Sequence, residues 1–110
     1  LPKSVKEAAL KKILGIYVSS DLHLDKVIQL CQAAHRKGVE VRVFFTHFGT
    51  RLCLDPQLEE LQSCANVALC KVGFESNELD QDKTNLQKEA FASQSWHAEM
   101  IYECDRYVTF

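Results

Sequence analysis

Five cysteines, Cys31, Cys53, Cys64, Cys70 and Cys104, are the most reactive side chains in this sequence. Their number is odd and no two form a Cys-x-x-Cys pair, so neither a disulfide framework nor a paired redox or zinc motif is expected. A thiol attacks only as its thiolate, which a neighbouring cation or a helix N-terminus favours. Cys70 is followed by Lys71 and by Gly73, a residue at which a strand can turn into a helix. Cys70 is therefore the candidate catalytic residue. The competing reading is a small hydrophobe packed in a strand, the commonest fate of a free cysteine. Cys53, in the segment HFGTRLC, is the candidate second thiol, or else a packed apolar residue in a loop. Cys31 and Cys104 fall at apolar helical positions and are expected in the core, whereas Cys64 fits either role.

His47 follows an apolar run and is placed to serve Cys70 as a base or as an imidazolium partner, if it is not simply a solvated turn residue. His47, Cys53, Cys70 and His97 lack the short paired spacing of a zinc site, so no metal is expected. Other chemistries are missing their signatures. The sequence has four glycines, and neither a Gly-x-Gly-x-x-Gly nor a Gly-x-x-x-x-Gly-Lys segment, so dinucleotide and P-loop cofactors are not expected. A Gly-x-Ser-x-Gly nucleophile elbow is also missing.

The elements that must position these residues can be read from periodicity. Residues 13–18, ILGIYV, form a β-branched and aromatic run too short for a helix, and residues 39–45 alternate before ending in two phenylalanines. Residues 67–72 read as a third strand and 107–110 as a last one. Between the first two, Leu24, Val27, Ile28, Cys31 and Ala34 recur at helical spacing up to a stop at Gly38. Asp55 and Pro56 predict a helix to about residue 64, and residues 93–104 a final helix carrying Trp96 and Met100. A Ser-x-x-Glu box at Ser4 and Glu7 predicts a helical appendage within residues 1–12. Residues 79–92 are expected to form a polar loop. Alternating strands and helices predict one three-layer α/β domain, residues 1–110, with a four-stranded, mostly parallel sheet in order 2-1-3-4 and helices on both faces. Strand one is assigned the centre because its run is almost wholly apolar. Ligands of such sheets gather beyond the carboxyl ends of the strands. Ser19, Ser20, Thr46, His47, Gly49, Lys71 and Gly73 are therefore the supporting residues expected around Cys70.

The composition limits the partners. Lys and Arg number 13 against 15 Asp and Glu, a net charge of -2 with no basic run, so nucleic acid is not expected. Apolar residues make up 46%, enough for a core, but no stretch approaches the ~20 residues of a membrane span. The chain opens on Leu1 with no leader-like start, and the unpaired thiols suit a reducing compartment, so a trimmed cytoplasmic chain is expected. Phe44, Phe45, Phe48, Phe74, Trp96 and Phe110 are more large aromatics than a small core needs, which predicts self-association through some of them.

Taken together, ILGIYVSSD, VEVRVFFTHFGTRLC, VALCKVGF and ECDRYVTF resemble the DsrE-like family of small sulfur-relay proteins over residues 13–110. The resemblance implies a compact parallel α/β unit, oligomeric assembly and a cysteine just after the third strand that carries sulfur as a persulfide. Cys70 is at the matching position. FFTHFG is similar to the Phe-Phe-Gly-type turn of one branch, which would place Thr46 to Gly49 along the same cleft. Two departures stand out: Lys71, Val72, Gly73 and Phe74 replace the small residues that often follow such a cysteine, and the segment after Leu79 is long and polar. The implied activity is sulfur transfer between a protein donor and a protein acceptor, without cofactor. A non-catalytic binding or assembly module is the alternative, and a small-molecule pocket using Ser19, Ser20 and Thr46 is a third reading.

Overall fold

Five short apolar runs form one parallel sheet in this computed structural model, which describes residues 11–110. The strands are β1 (Ile13–Val18), β2 (Glu40–Phe45), β3 (Asn66–Cys70), β4 (Phe91–Ala92) and β5 (Arg106–Thr109). The helices are α1 (Leu24–Arg36), α2 (Leu58–Gln62), α3 (Lys71–Ser76) and α4 (Gln94–Glu103), with a 3-10 helix over His47–Leu54 and two 3-10 turns at Gln81–Lys83 and Lys88–Ala90. The helical appendage expected at the N-terminus lies outside the described residues except for Lys11 and Lys12, neither of which is helical.

The sheet order is β4-β3-β2-β1-β5 with every pair parallel, so the α/β class with helices on a parallel sheet holds and the expected order 2-1-3-4 does not. β3 lies beside β2 rather than β1, and β1 is flanked by β2 and β5. The fifth strand, β4, comes from the segment expected to be a loop. The reason is visible in β2. Its Arg42 looks like a solvent-facing residue in the sequence, yet its guanidinium bridges Glu40 at 2.6 Å and Glu103 of α4 at 2.6 Å, and the side chain is only 20% exposed. A paired, largely covered arginine is compatible with a central strand, which its sequence disguises.

Strand alternation sends successive side chains to opposite faces. Ile16, Val18, Val41, Val43, Phe45 and Leu69 point to the first face, where Val27, Ile28 and Cys31 of α1, Leu58 and Leu61 of α2 and Phe74 of α3 cover them. Each fully buried Leu, Ile, Val or Phe there stabilises the fold by about 1.5–3 kcal/mol. Phe44, Ala68 and Cys70 point to the second face, where Met100 completes the buried cluster and Tyr17, Ala92 and Trp96 pack against it. Consecutive crossovers on one face extend the sheet in one direction from β1 to β4. The return through α4 crosses the other face and sets β5 beside β1, as right-handed connections require.

Local signals set the ends. Gly38 adopts φ 76° and stops α1, a conformation that favours glycine. Asp55 and Pro56 precede α2 as expected, but the helix starts at Leu58, because Asp55 Oδ1 accepts the Gln57 N–H at 2.9 Å in a turn of its own. β3 ends at Cys70, two residues short of expectation, because the Cys70 sulfur accepts the Gly73 N–H at 3.4 Å and caps α3. Ser93 caps α4 by accepting the Ser95 N–H.

Candidate functional site

The crevice at the strand-order reversal, between β1 and β5, is closed. Ser19 donates its N–H (2.9 Å) and its hydroxyl (3.3 Å) to the Phe110 carbonyl. The open cleft lies next to it, over the carboxyl ends of β2 and β3, with a volume of about 760 Å³. Ser19, Thr46, His47, Phe48, Cys70, Val72 and Gly73 line one side, Ser76 and Asn77 at the end of α3 another, and Ser93 and Gln94 at the start of α4 the third. A smaller hollow of about 370 Å³ sits near the amino end of β3, where Asn66, Glu89 and Trp96 supply no thiol or imidazole. The chemistry-bearing residues therefore converge at the larger one.

Cys70 belongs to two environments. Its side chain joins the second-face apolar cluster with Phe44, Ala68 and Met100 and is 7% exposed, while its sulfur takes the Gly73 N–H and faces the cleft. Three of the other thiols are poor nucleophiles for a stated reason. Burial, then the nearby Cys64, pushes the Cys31 thiol up to about 12, and burial raises the Cys53 and Cys64 thiols as well. A raised thiol holds little thiolate at neutral pH. Cys104 is partly exposed at the end of α4, away from the cleft lining.

The cleft floor is held by a network that the sequence does not announce. Asn77 Nδ2 donates to the His47 carbonyl (2.8 Å), to Thr50 Oγ1 (2.9 Å) and to the Gly73 carbonyl (3.1 Å), tying the turn after β2 to α3. His47 sits at φ 50°, an uncommon conformation for a non-glycine residue, and the Thr50 hydroxyl also donates to its carbonyl at 2.8 Å. Gly49 lies directly beneath. A Cβ there would come within 2.2 Å of the Val18 carbonyl oxygen, so only glycine lets the turn pass this close to β1.

Of the residues expected from sequence, Ser19, Thr46, His47 and Gly73 join Cys70 around the cleft, and Gly49 supports the turn. Lys71 is the first residue of α3 and is exposed without lining the cleft. Ser20 does not line it either, and its Oγ is buried with no hydrogen-bond partner among the described residues. Cys53, expected as a second thiol, is 1% exposed and faces a separate small hollow with Asp55 and Lys83, because the 3-10 helix turns it inward. Asn77, Ser93 and Gln94 were not singled out. The last two had a signal: Ser93 caps the final helix, and a helix crossing back over a parallel sheet starts near its neighbours' carboxyl ends.

Beyond the mouth, α4 carries an aromatic stack. The His97 ring lies 4.3 Å from Tyr17 and 5.3 Å from Phe44, centroid to centroid, with both pairs stacked. Burial lowers the His97 pKa from its ordinary value. No group of three or more His, Cys, Asp or Glu side chains among the described residues is arranged to hold a metal ion, and no helix among them is long and apolar enough to cross a membrane. Comparison with known proteins finds no family model and no curated sequence that matches this chain.

Proposed function

We propose that the cleft is a sulfur-transfer site in which Cys70 carries sulfur as a persulfide. The observation that carries this reading is the placement of Cys70: it lines the largest hollow, at the carboxyl end of β3, with a backbone N–H donated to its sulfur, whereas Cys31, Cys53 and Cys64 are buried away from that hollow. An N–H donor at this position suits a sulfur atom that bears negative charge in the reaction. The Cys70 thiolate attacks the outer sulfur of a donor persulfide. A bond forms between Cys70 Sγ and that sulfur, the donor's sulfur–sulfur bond breaks, and the donor leaves as a thiolate. An acceptor thiolate then repeats the exchange and releases Cys70, so no external oxidant or reductant is consumed. The resemblance of residues 13–110 to sulfur-relay proteins supports the same assignment.

A second reading has its own support: a binding or assembly module in which Cys70 is simply packed. Phe48 is 54% and Val72 71% exposed at the cleft mouth, and Tyr102 is 81% exposed on α4, so apolar surface is available for a partner protein or another copy of the chain. Alkylation of the native protein by iodoacetamide, mapped by peptide mass, separates the two. The sulfur-transfer reading expects Cys70 to react well before Cys31 and Cys53. Uniformly slow thiols would leave the packed-cysteine reading.

A further inference from the structure

A string of hydrogen-bonding groups runs from the last strand into the cleft. Tyr107 Oη of β5 lies 2.9 Å from His97 Nε2, His97 Nδ1 lies 3.2 Å from Gln94 Oε1, and Gln94 Nε2 lies 3.5 Å from Thr46 Oγ1. Each link constrains the next. An amide oxygen only accepts, so with Gln94 Oε1 turned to the ring the string is complete when His97 carries its proton on Nδ1 and its bare Nε2 accepts from the Tyr107 hydroxyl. Stacking on the neighbouring Tyr17 and Phe44 rings holds the imidazole plane. Gln94 is thereby left with its NH2 group toward Thr46 and the cleft. That group has two protons and a single, long contact, so it keeps donor capacity for something bound there. Thr46 is 2% exposed and makes no other side-chain hydrogen bond among the described residues.

We propose that His97 is a positioning residue: through Gln94 it turns an amide N–H donor into the cleft, toward an acceptor atom bound beside Cys70. The titratable groups facing its ring are Tyr17 from β1 and Tyr107 from β5, and it makes no hydrogen bond to a carboxylate or cationic group among the described residues. Burial favours neutral imidazole, the form in which the choice of tautomer matters. The opposite tautomer would reverse the string and present the Gln94 oxygen to Thr46. The atom that receives the N–H in the sulfur-transfer reading, on which this role rests, is the outer sulfur of the Cys70 persulfide or the sulfur of the departing donor.

Two substitutions separate positioning from packing. His97→Phe keeps an aromatic ring in the stack and removes the donor, whereas His97→Asn loses the stack and keeps an N–H near the place of Nδ1. Sulfur loading of Cys70 by glutathione persulfide, followed by intact mass, is expected to slow at least fivefold in His97→Phe and Gln94→Leu and to stay within twofold of wild type in His97→Asn. Iodoacetamide alkylation of Cys70 is expected to change less than twofold in all three. Unchanged loading in His97→Phe, or a loss confined to His97→Asn, overturns the positioning role while leaving Cys70 as carrier. Absence of loading in the wild type removes the sulfur-transfer reading itself. The string is then judged by nitrogen-detected NMR of the His97 ring at pH 7.5, where a proton on Nδ1 supports it and a proton on Nε2 overturns it.

Discussion

The two faces of the sheet are built for different purposes. The first is closed by three helices and a 3-10 helix, and burial raises the thiols of its cysteines. Among the described residues the second is covered by α4, and its cluster of Phe44, Ala68, Cys70 and Met100 reaches a cleft with a largely apolar lining through Cys70. One alternating strand supplies both, since Leu69 faces the first side and Cys70 the second. The same residue type, cysteine, therefore packs within the closed core on one face and lines the cleft on the other, and a register slip of one residue would exchange the two places.

Substitutions on the two faces should separate these roles. Phe45→Ala, on the closed face, should destabilise the fold by about 3–5 kcal/mol in urea unfolding, because the fully buried ring leaves a cavity between the sheet and the helices over it. Trp96→Ala, at the margin of the open face, should cost clearly less, and equal losses would erase the distinction. Gly49→Ala should come next, at about 3 kcal/mol, the upper end for overpacking, because the clash is with the Val18 backbone and no side chain can move aside.

Cysteine-to-serine changes compare the faces directly. Cys31→Ser places a hydroxyl in a fully buried apolar site and should cost about 1–3 kcal/mol. Cys70→Ser should stay within about 1 kcal/mol of wild type by the same assay, since a serine oxygen can take over the Gly73 N–H as helix cap. A Cys70→Ser variant as unstable as Cys31→Ser would make Cys70 a packing residue.

The smallest expected effect is on pH dependence. The His97 pKa is lowered in the folded chain, so as pH falls through the ordinary histidine range the unfolded chain takes up more protons and stability is lost, until folded His97 is itself protonated. His97→Phe should flatten the dependence of the urea midpoint in that window. An unchanged slope would place the acid sensitivity elsewhere.

The sequence made most elements legible because each rests on local pattern. The run of residues 13–18 and the helical spacing ending at Gly38 appear where periodicity and the glycine stop put them. The strand order was hidden by Arg42, whose two ion pairs let a charged residue lie on a central strand. β4 was missed because two residues, Phe91 and Ala92, show no periodicity. Around the cleft, Cys70, Thr46 and His47 were readable from their places at strand ends. Asn77 reaches His47 and Thr50 30 and 27 positions away, Tyr107 reaches His97 10 positions away and Gln94 reaches Thr46 48 positions away, and only the folded backbone brings these partners together.

The central claim is that Cys70 holds transferable sulfur. The most direct test is intact mass of the native protein after incubation with a persulfide donor, with peptide mapping and Cys70→Ser in parallel. The account predicts one added sulfur per chain, located on Cys70, absent from Cys70→Ser and lost on addition of an acceptor thiol. No added mass on a folded wild-type chain, or sulfur retained by Cys70→Ser, would contradict it.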